Sequence, residues 1–211
     1  AAYAGYTVTS NARAITAGGN GFTTSPITLR GLSNGTAYTF TVTATNAVGT
    51  STASAASNSV TPKANQTITF TNPGAQNFGT TPTLTASASS SLPVSFSSAT
   101  TGVCTITSGG SLTFITAGSC TINADQAGNA ATNAATTISQ SFLVNAVVPG
   151  APVIGTATAG NTQASVSFSA PANTGGSSIT GYTVTANPGG ATASGVVSPL
   201  VVSGLSNGQA Y

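Results

Sequence analysis

Apolar and polar residues alternate with a period of two along most of this chain, and helical periodicity is hard to find in it. Over residues 37–46, Tyr38, Phe40, Val42 and Ala44 fall on one face and Thr39, Thr41, Thr43 and Thr45 on the other. That is the pattern of a half-buried strand. Tyr6 and Val8, Ile68 and Phe70, Val94 and Phe96, and Val166 and Phe168 are spaced in the same way between threonines or serines. Glycine, proline, asparagine and serine punctuate these short runs. The pattern therefore predicts an all-β fold of antiparallel sandwiches in tandem.

The chain also repeats itself. GYTVT at residues 5–9 returns 176 residues later at 181–185, and GLSNG at 31–35 returns at 204–208. Self-similarity of this kind marks a modular array. Prolines, which cannot donate to a ladder, mark boundaries at Val60-Thr61-Pro62-Lys63 and at Val147-Val148-Pro149-Gly150-Ala151-Pro152. Three segments are expected: 1–62, the back portion of one sandwich; 63–149, a sandwich of a different type; and 150–211, the front portion of the first type. On this division the N-terminal portion lacks its first two strands and the C-terminal portion stops before its last two. Each end is then an open sandwich.

The stretch SPITLRGLSNGTAYTFTVTATNAVG, Ser25 to Gly49, resembles the second half of a fibronectin type III domain, through Leu32, Tyr38, the alternating strand and the Asn46–Gly49 turn. The resemblance implies a tyrosine corner built on Leu32 and Tyr38, with the phenol hydroxyl tied back to the backbone. Leu205 and Tyr211 repeat it. Residues 151–187 resemble the front half of that domain, through Pro171 and the Gly-rich turn after it. The family's usual Trp on the second strand is absent, and Val166 and Phe168 occupy that stretch. The middle block, with QTITF, LPVSFSS, two Cys segments and DQAGNAATNAA, resembles the bacterial immunoglobulin-like repeats of large surface proteins. Together these resemblances imply an extracellular or cell-surface, bacterial setting, in a repetitive adhesin, stalk or filament.

Composition narrows the chemistry. Charged residues are 2% of 211, namely Arg13, Arg30, Lys63 and Asp125, and there is no Glu, His, Met or Trp. Ordinary domains carry roughly a quarter. The 39% of apolar residues can build real cores, so solubility rests on hydroxyls and amides. A net charge of +2 from scattered cations offers no phosphate-binding patch, and no nucleic-acid partner is expected. No apolar run approaches the roughly 20 residues of a membrane span. The start AAYAGYTVT lacks the basic and apolar regions of a signal peptide, as expected of a mature or internal segment.

No enzyme is expected, nor any catalytic, cofactor-binding or metal-binding residue. Asp125 is the only carboxylate, no His is present to activate a hydroxyl, and Lys63 lies in a linker. Cys104 and Cys120 both fall on the core-facing register, next but one to Ile106 and Ile122, with the hairpin SGGSLTFITAG between them. A disulfide is expected in an extracellular chain, with buried free thiols as the alternative; a metal pair lacks further ligands. The Thr rows read as solvent faces of sheets, and Tyr3, Tyr6, Tyr38, Tyr182 and Tyr211 as core or corner residues. Asn34-Gly35-Thr36 and Asn65-Gln66-Thr67 match the glycosylation acceptor pattern, with Asn34 also suited to a turn.

The leading functional expectation is a structural module that forms a rigid, self-associating fibre or stalk. Its partners are copies of itself, because sheet edges with so few charges are poorly guarded against pairing. Strand addition between incomplete sandwiches is one route to such assembly. The alternatives are an adhesin module binding a glycan or host surface, and an accessory domain of a secreted polysaccharide hydrolase. In the adhesin reading, Gly18-Gly19-Asn20-Gly21 and Asn187-Pro188-Gly189-Gly190 are the candidate loops.

Overall fold

The structure, a computed structural model, describes residues 3–211, with Tyr3 and Asn20 described by backbone alone. The expectation that Tyr3 is a core residue thus lies outside the described side chains. Among the described residues there are sixteen strands and no helix. Strands β1 (Tyr3–Ser10), β2 (Thr16–Asn20) and β3 (Phe40–Asn46) form a sheet in the order β2-β1-β3. Next come β4 (Ile68–Phe70), β5 (Gln76–Asn77), β6 (Ala86–Ala88), β7 (Ser95–Ser98), β8 (Cys104–Ile106), β9 (Leu112–Phe114), β10 (Gly118–Asp125) and β11 (Ile138–Asn145). They make a four-stranded sheet β5-β11-β10-β7 and the pairs β4-β6 and β8-β9. Last, β12 (Val153–Gly160), β13 (Gln163–Ser169) and β16 (Leu200–Ser203) form the sheet β12-β13-β16, and β14 (Tyr182–Thr185) pairs with β15 (Thr192–Gly195).

The fold is all-β, as the alternation predicts, and pairing is predominantly antiparallel. One departure is β5, which runs parallel to β11 with Val144 opposite Gln76. It is a two-residue strand at the sheet's edge, too short for alternation to betray it.

The chain divides into two compact units. The first comprises Ala1–Thr69, Ala86–Val94 and Asp125–Ile138; the second comprises Phe70–Thr85, Ser95–Ala124 and Ser139–Tyr211.

In the first unit, Val8 of β1 stands opposite Ala17 on one side and Val42 on the other. β2 is glycine-rich for a steric reason. A Cβ on Gly18, at φ +106°, would lie 2.1 Å from the Tyr6 carbonyl oxygen. This corrects the expectation of a loop at Gly18-Gly19-Asn20-Gly21, since the first three of these residues belong to a strand. The threonine face of β3 is half-buried, and Val42 on the apolar face is 39% exposed. A half-buried strand needs a second layer over its apolar face, and residues of the segment before β3 contribute to it: Ile27, Leu29 and Leu32 line a groove with Val8 and Phe40, and Ile27 another with Tyr6 and Val42.

The segment after β3 runs alongside it by an unusual ladder. Backbone amides of Ser51, Ser54 and Ser57 donate to the carbonyls of Ala44, Val42 and Phe40 at 2.8, 2.9 and 2.9 Å. The hydroxyls of the same serines accept from the amides of Ala44, Val42 and Phe40 at 3.1, 3.0 and 3.0 Å. Three residues of this segment therefore span two of β3, and each serine oxygen stands in for the carbonyl that a regular strand would supply. A pair of backbone bonds between Tyr38 and Val60, both 2.9 Å, closes the ladder.

The first unit also buries a polar knot. Gln66 Nε2 donates to Gln126 Oε1 at 2.9 Å and to the Asn133 carbonyl at 2.7 Å, while Gln126 Nε2 donates to the Pro93 carbonyl at 3.1 Å. The Ser90 hydroxyl donates to Gln66 Oε1, and the Gly128 amide to Gln126 Oε1. Among the described residues no buried side-chain polar atom lacks a partner. Satisfaction is what makes such burial tolerable.

In the second unit the core is Phe70, Leu84, Cys104, Leu112, Phe114, Cys120, Ile122, Ala124, Phe142 and Val144, all buried. Phe70 meets Phe96, and Phe114 meets Phe142, edge to face. Cys104 and Cys120 are joined by a disulfide, with Cα atoms 5.8 Å apart. It ties β8, in the β8-β9 pair, to β10, in the four-stranded sheet. Farther along, β12 is exposed over its whole length and Ile154 is 74% exposed, although β13 holds Val166 buried.

Candidate functional site

Both predicted tyrosine corners are formed. The Ser33 amide donates to the Tyr38 hydroxyl at 3.0 Å, and the Ser206 amide to the Tyr211 hydroxyl at 2.9 Å. Leu205 is buried; Leu32 is half-buried. The two phenols differ in cover, with Tyr38 at 0% exposure and Tyr211 at 48%. The Ser33 backbone amide lowers the Tyr38 phenol from its ordinary pKa. Burial opposes this, while the side chains of Ser33 and Thr36 and the charge of Arg13 add to the lowering.

Glycines carry two joints between the sequence segments, which the sequence pattern left unmarked. In the first unit, the turn at Gly35 is bonded to the end of its own segment and meets Ala131 of the 63–149 stretch. Its amide donates to the Pro62 carbonyl at 2.8 Å, and a Cβ on it would lie 2.7 Å from the Ala131 methyl. Arg13 Nη1 donates to Ser33 Oγ at 3.1 Å, bracing the same turn.

In the second unit, the loop Asn173-Thr174-Gly175-Gly176 is bound on both sides. Val147 N–H donates to the Gly175 carbonyl at 2.9 Å, and Gly150 N–H to the Asn173 carbonyl at 2.9 Å. The Thr116 hydroxyl and the Ala117 amide both donate to the Gly176 carbonyl, at 2.9 and 2.8 Å. Gly175 has φ +75° and Gly176 +81°, and Cβ atoms there would lie 2.0 Å from the Val147 oxygen and 2.6 Å from the Phe78 ring. Only glycine allows backbone to approach backbone this closely. The arrangement holds one segment against the next by three main-chain bonds and the Thr116 hydroxyl, with no charged group involved.

The remaining candidates are placed in bland surroundings. Asp125 accepts from the Thr137 hydroxyl, and Asn65 Oδ1 accepts from Asn133 Nδ2 at 2.9 Å. Asn34 lies in the turn before Tyr38. Asn187-Pro188-Gly189-Gly190 forms the exposed turn between β14 and β15. No group of three or more metal-ligating side chains occurs among the described residues, and no helix among them is long and apolar enough to cross a membrane. The disulfide fits an oxidising compartment.

No protein-family model matches the chain, and no curated protein does. Among solved structures, the chain is similar to the FN1–FN3 domains of chicken contactin CNTN1, at 13% identity and a TM-score of 0.26, over 96% of this chain and 79% of that one.

Proposed function

We propose that this chain is a non-catalytic structural module of the bacterial cell exterior, a repeat unit that builds a stiff, self-associating stalk or fibre. The observation that carries this reading is the pair of glycine joints. At Gly175-Gly176 the backbone of one segment is bonded to the next at distances no side chain would permit, and at Gly35 the turn lies against Ala131 too closely for a Cβ. Flexible tethering would need a free Gly/Ser or Pro-rich linker. Bonded joints transmit bending and pulling forces along the chain.

The composition supports the same use. Hydroxyls and amides serve as ladder acceptors, caps and surface groups where other proteins place charges, so little in this chain responds to pH or salt. Almost nothing guards the sheet edges from pairing with another copy. The test is electron microscopy and sedimentation velocity of the purified chain across a concentration series. Elongated assemblies that grow with concentration are expected, and dispersed monomers at every concentration would overturn self-association.

A further inference from the structure

The stretch 64–78 meets the stretch 131–145 in parallel at two places, with one register. In the first unit Ala64 bridges Thr132, its amide donating to the Ala131 carbonyl and its carbonyl accepting from the Asn133 amide, both at 2.8 Å. In the second unit β5 runs parallel to β11, with Gln76 opposite Val144 and Asn77 opposite Asn145. The partners are 68 residues apart in each case (132 minus 64, 144 minus 76). An asparagine pair of the same separation stands at each place. Asn133 Nδ2 donates to Asn65 Oδ1 at 2.9 Å, and Asn145 Nδ2 to Asn77 Oδ1 at 3.3 Å.

In the second unit this pairing reaches well beyond the two residues of β5. Gln140 Nε2 donates to the Phe70 carbonyl at 2.9 Å, Asn72 Nδ2 to the Ser141 carbonyl at 2.8 Å, and the Phe78 amide to the Asn145 carbonyl at 2.9 Å. Side-chain amides thus carry the seam where the backbone ladder is missing. Asn72 and Asn77 are exposed, so water would serve the same groups and these bonds add little to equilibrium stability. Their direction matters more. Tension along the chain enters β5 at its N-terminal end and leaves β11 at its C-terminal end, where Val147 N–H is bonded to the Gly175 carbonyl. In a parallel pair those are opposite ends, so the strands are pulled past each other and every bond is loaded at once. In an antiparallel hairpin the same tension would open one bond at a time.

We propose that the seam between residues 70–78 and β11 is a tension clamp, the element that sets the force at which the second unit yields when the chain is stretched. The amides of Asn72, Gln140 and Asn145 are its fasteners, and they share the load with the backbone bonds of β5 and Phe78. The Gly175 joint delivers force from the following segment to the C-terminal end of β11 without a slack linker. The Ala64 and Asn65 contacts with residues 131–133 are the corresponding clasp of the first unit.

The clamp takes its use from the stalk reading, but its test does not depend on assembly. The test is single-molecule force spectroscopy of the whole chain, held through two introduced cysteines. One protein carries Thr71→Cys with Val148→Cys, and the other Thr81→Cys with Val148→Cys. All three positions are exposed, and the native bridge leaves no free thiol among the described residues. Far-UV circular dichroism establishes that each variant is folded. The first pair of handles pulls β5 and β11 in shear, and the second pulls both from the same end and peels them apart. Forced unfolding reads the unfolding barrier, and the shear pair is expected to yield at about twice the force of the peeling pair or more. Adding Asn72→Ala and Asn145→Ala is expected to lower the shear force and leave the peeling force unchanged. Equal forces in the two directions, or a double substitution that spares the shear force or weakens both directions alike, overturn the clamp and leave the self-association reading standing. Dispersed monomers at every concentration overturn self-association and leave a direction-dependent clamp standing.

Discussion

Gly74 and Gly175 share a φ of +75° and differ in what a side chain would meet. At Gly74 a Cβ finds nothing within 4 Å; at Gly175 it lies 2.0 Å from the Val147 carbonyl oxygen. Replacing either residue by alanine forces an L-residue into the left-handed region, at a cost of about 1–2 kcal/mol. At Gly74 the cost ends there. At Gly175 an ordinary carbon–oxygen contact requires the backbone to retreat by more than an ångström, and the bonded atom is itself main chain. The Val147 N–H to Gly175 bond and the adjacent Gly150 N–H to Asn173 bond, each 2.9 Å, break or lengthen. Two such bonds are worth about 1 kcal/mol each. Gly74→Ala is therefore expected to cost about 1–2 kcal/mol and Gly175→Ala about 3–4 kcal/mol. Guanidinium unfolding followed by tyrosine fluorescence measures both, since the chain has five Tyr and no Trp. Equal losses at the two sites would refute the reasoning that Gly175 is a joint.

Tyr38→Phe leaves the part-buried Ser33 amide without its 3.0 Å acceptor and is expected to cost about 1–3 kcal/mol, read by the denaturant midpoint. Replacing Ser51, Ser54 and Ser57 together by alanine removes three acceptors from exposed bonds and is expected to cost about 2 kcal/mol, with faster amide exchange at Phe40, Val42 and Ala44. Opening the Cys104–Cys120 bridge, 16 residues apart in sequence, by a double alanine substitution is expected to cost about 3 kcal/mol by the chain-entropy relation, measured by thermal unfolding. Stability is expected to be flat between about pH 5 and 8, where no side chain present titrates in its ordinary range. The Tyr38 phenol, lowered in the folded state, adds stability that is present above its unfolded value of about 10 and is lost as pH falls through the folded value. Its signature is thus an alkaline rise in stability that Tyr38→Phe abolishes.

Period-two alternation was enough to find the strands with a clean register. Ile68 and Phe70 are buried on either side of an exposed Thr69, and Val166 is buried in β13. The Cys104 and Cys120 registers were equally legible, because a strand's inward face is set by its own sequence. The serine ladder was missed for the opposite reason: Ser51, Ser54, Ser57 and Val60 recur every third residue, a period that belongs to neither helix nor strand. Looking for hydroxyls spaced by three after a strand would have found it. The glycine joints were invisible because the atoms that forbid a side chain, the Val147 oxygen, the Phe78 ring and the Ala131 methyl, are distant along the chain.

By itself the sequence determined the class of structure, the absence of most titratable chemistry, the two tyrosine corners and the repeated YTVT strand. The corners were implied by the family resemblance that Leu32, Tyr38, Leu205 and Tyr211 carry; the rest follow from local alternation, composition and self-similarity, which need no partner in space. Tertiary structure alone decided that the hydroxyls of Ser51, Ser54 and Ser57 complete the ladder along β3, and that Gly175 is a joint while Gly74 is only a turn. Identical residues acquired different roles because strand pairing and steric exclusion depend on what the rest of the chain brings alongside.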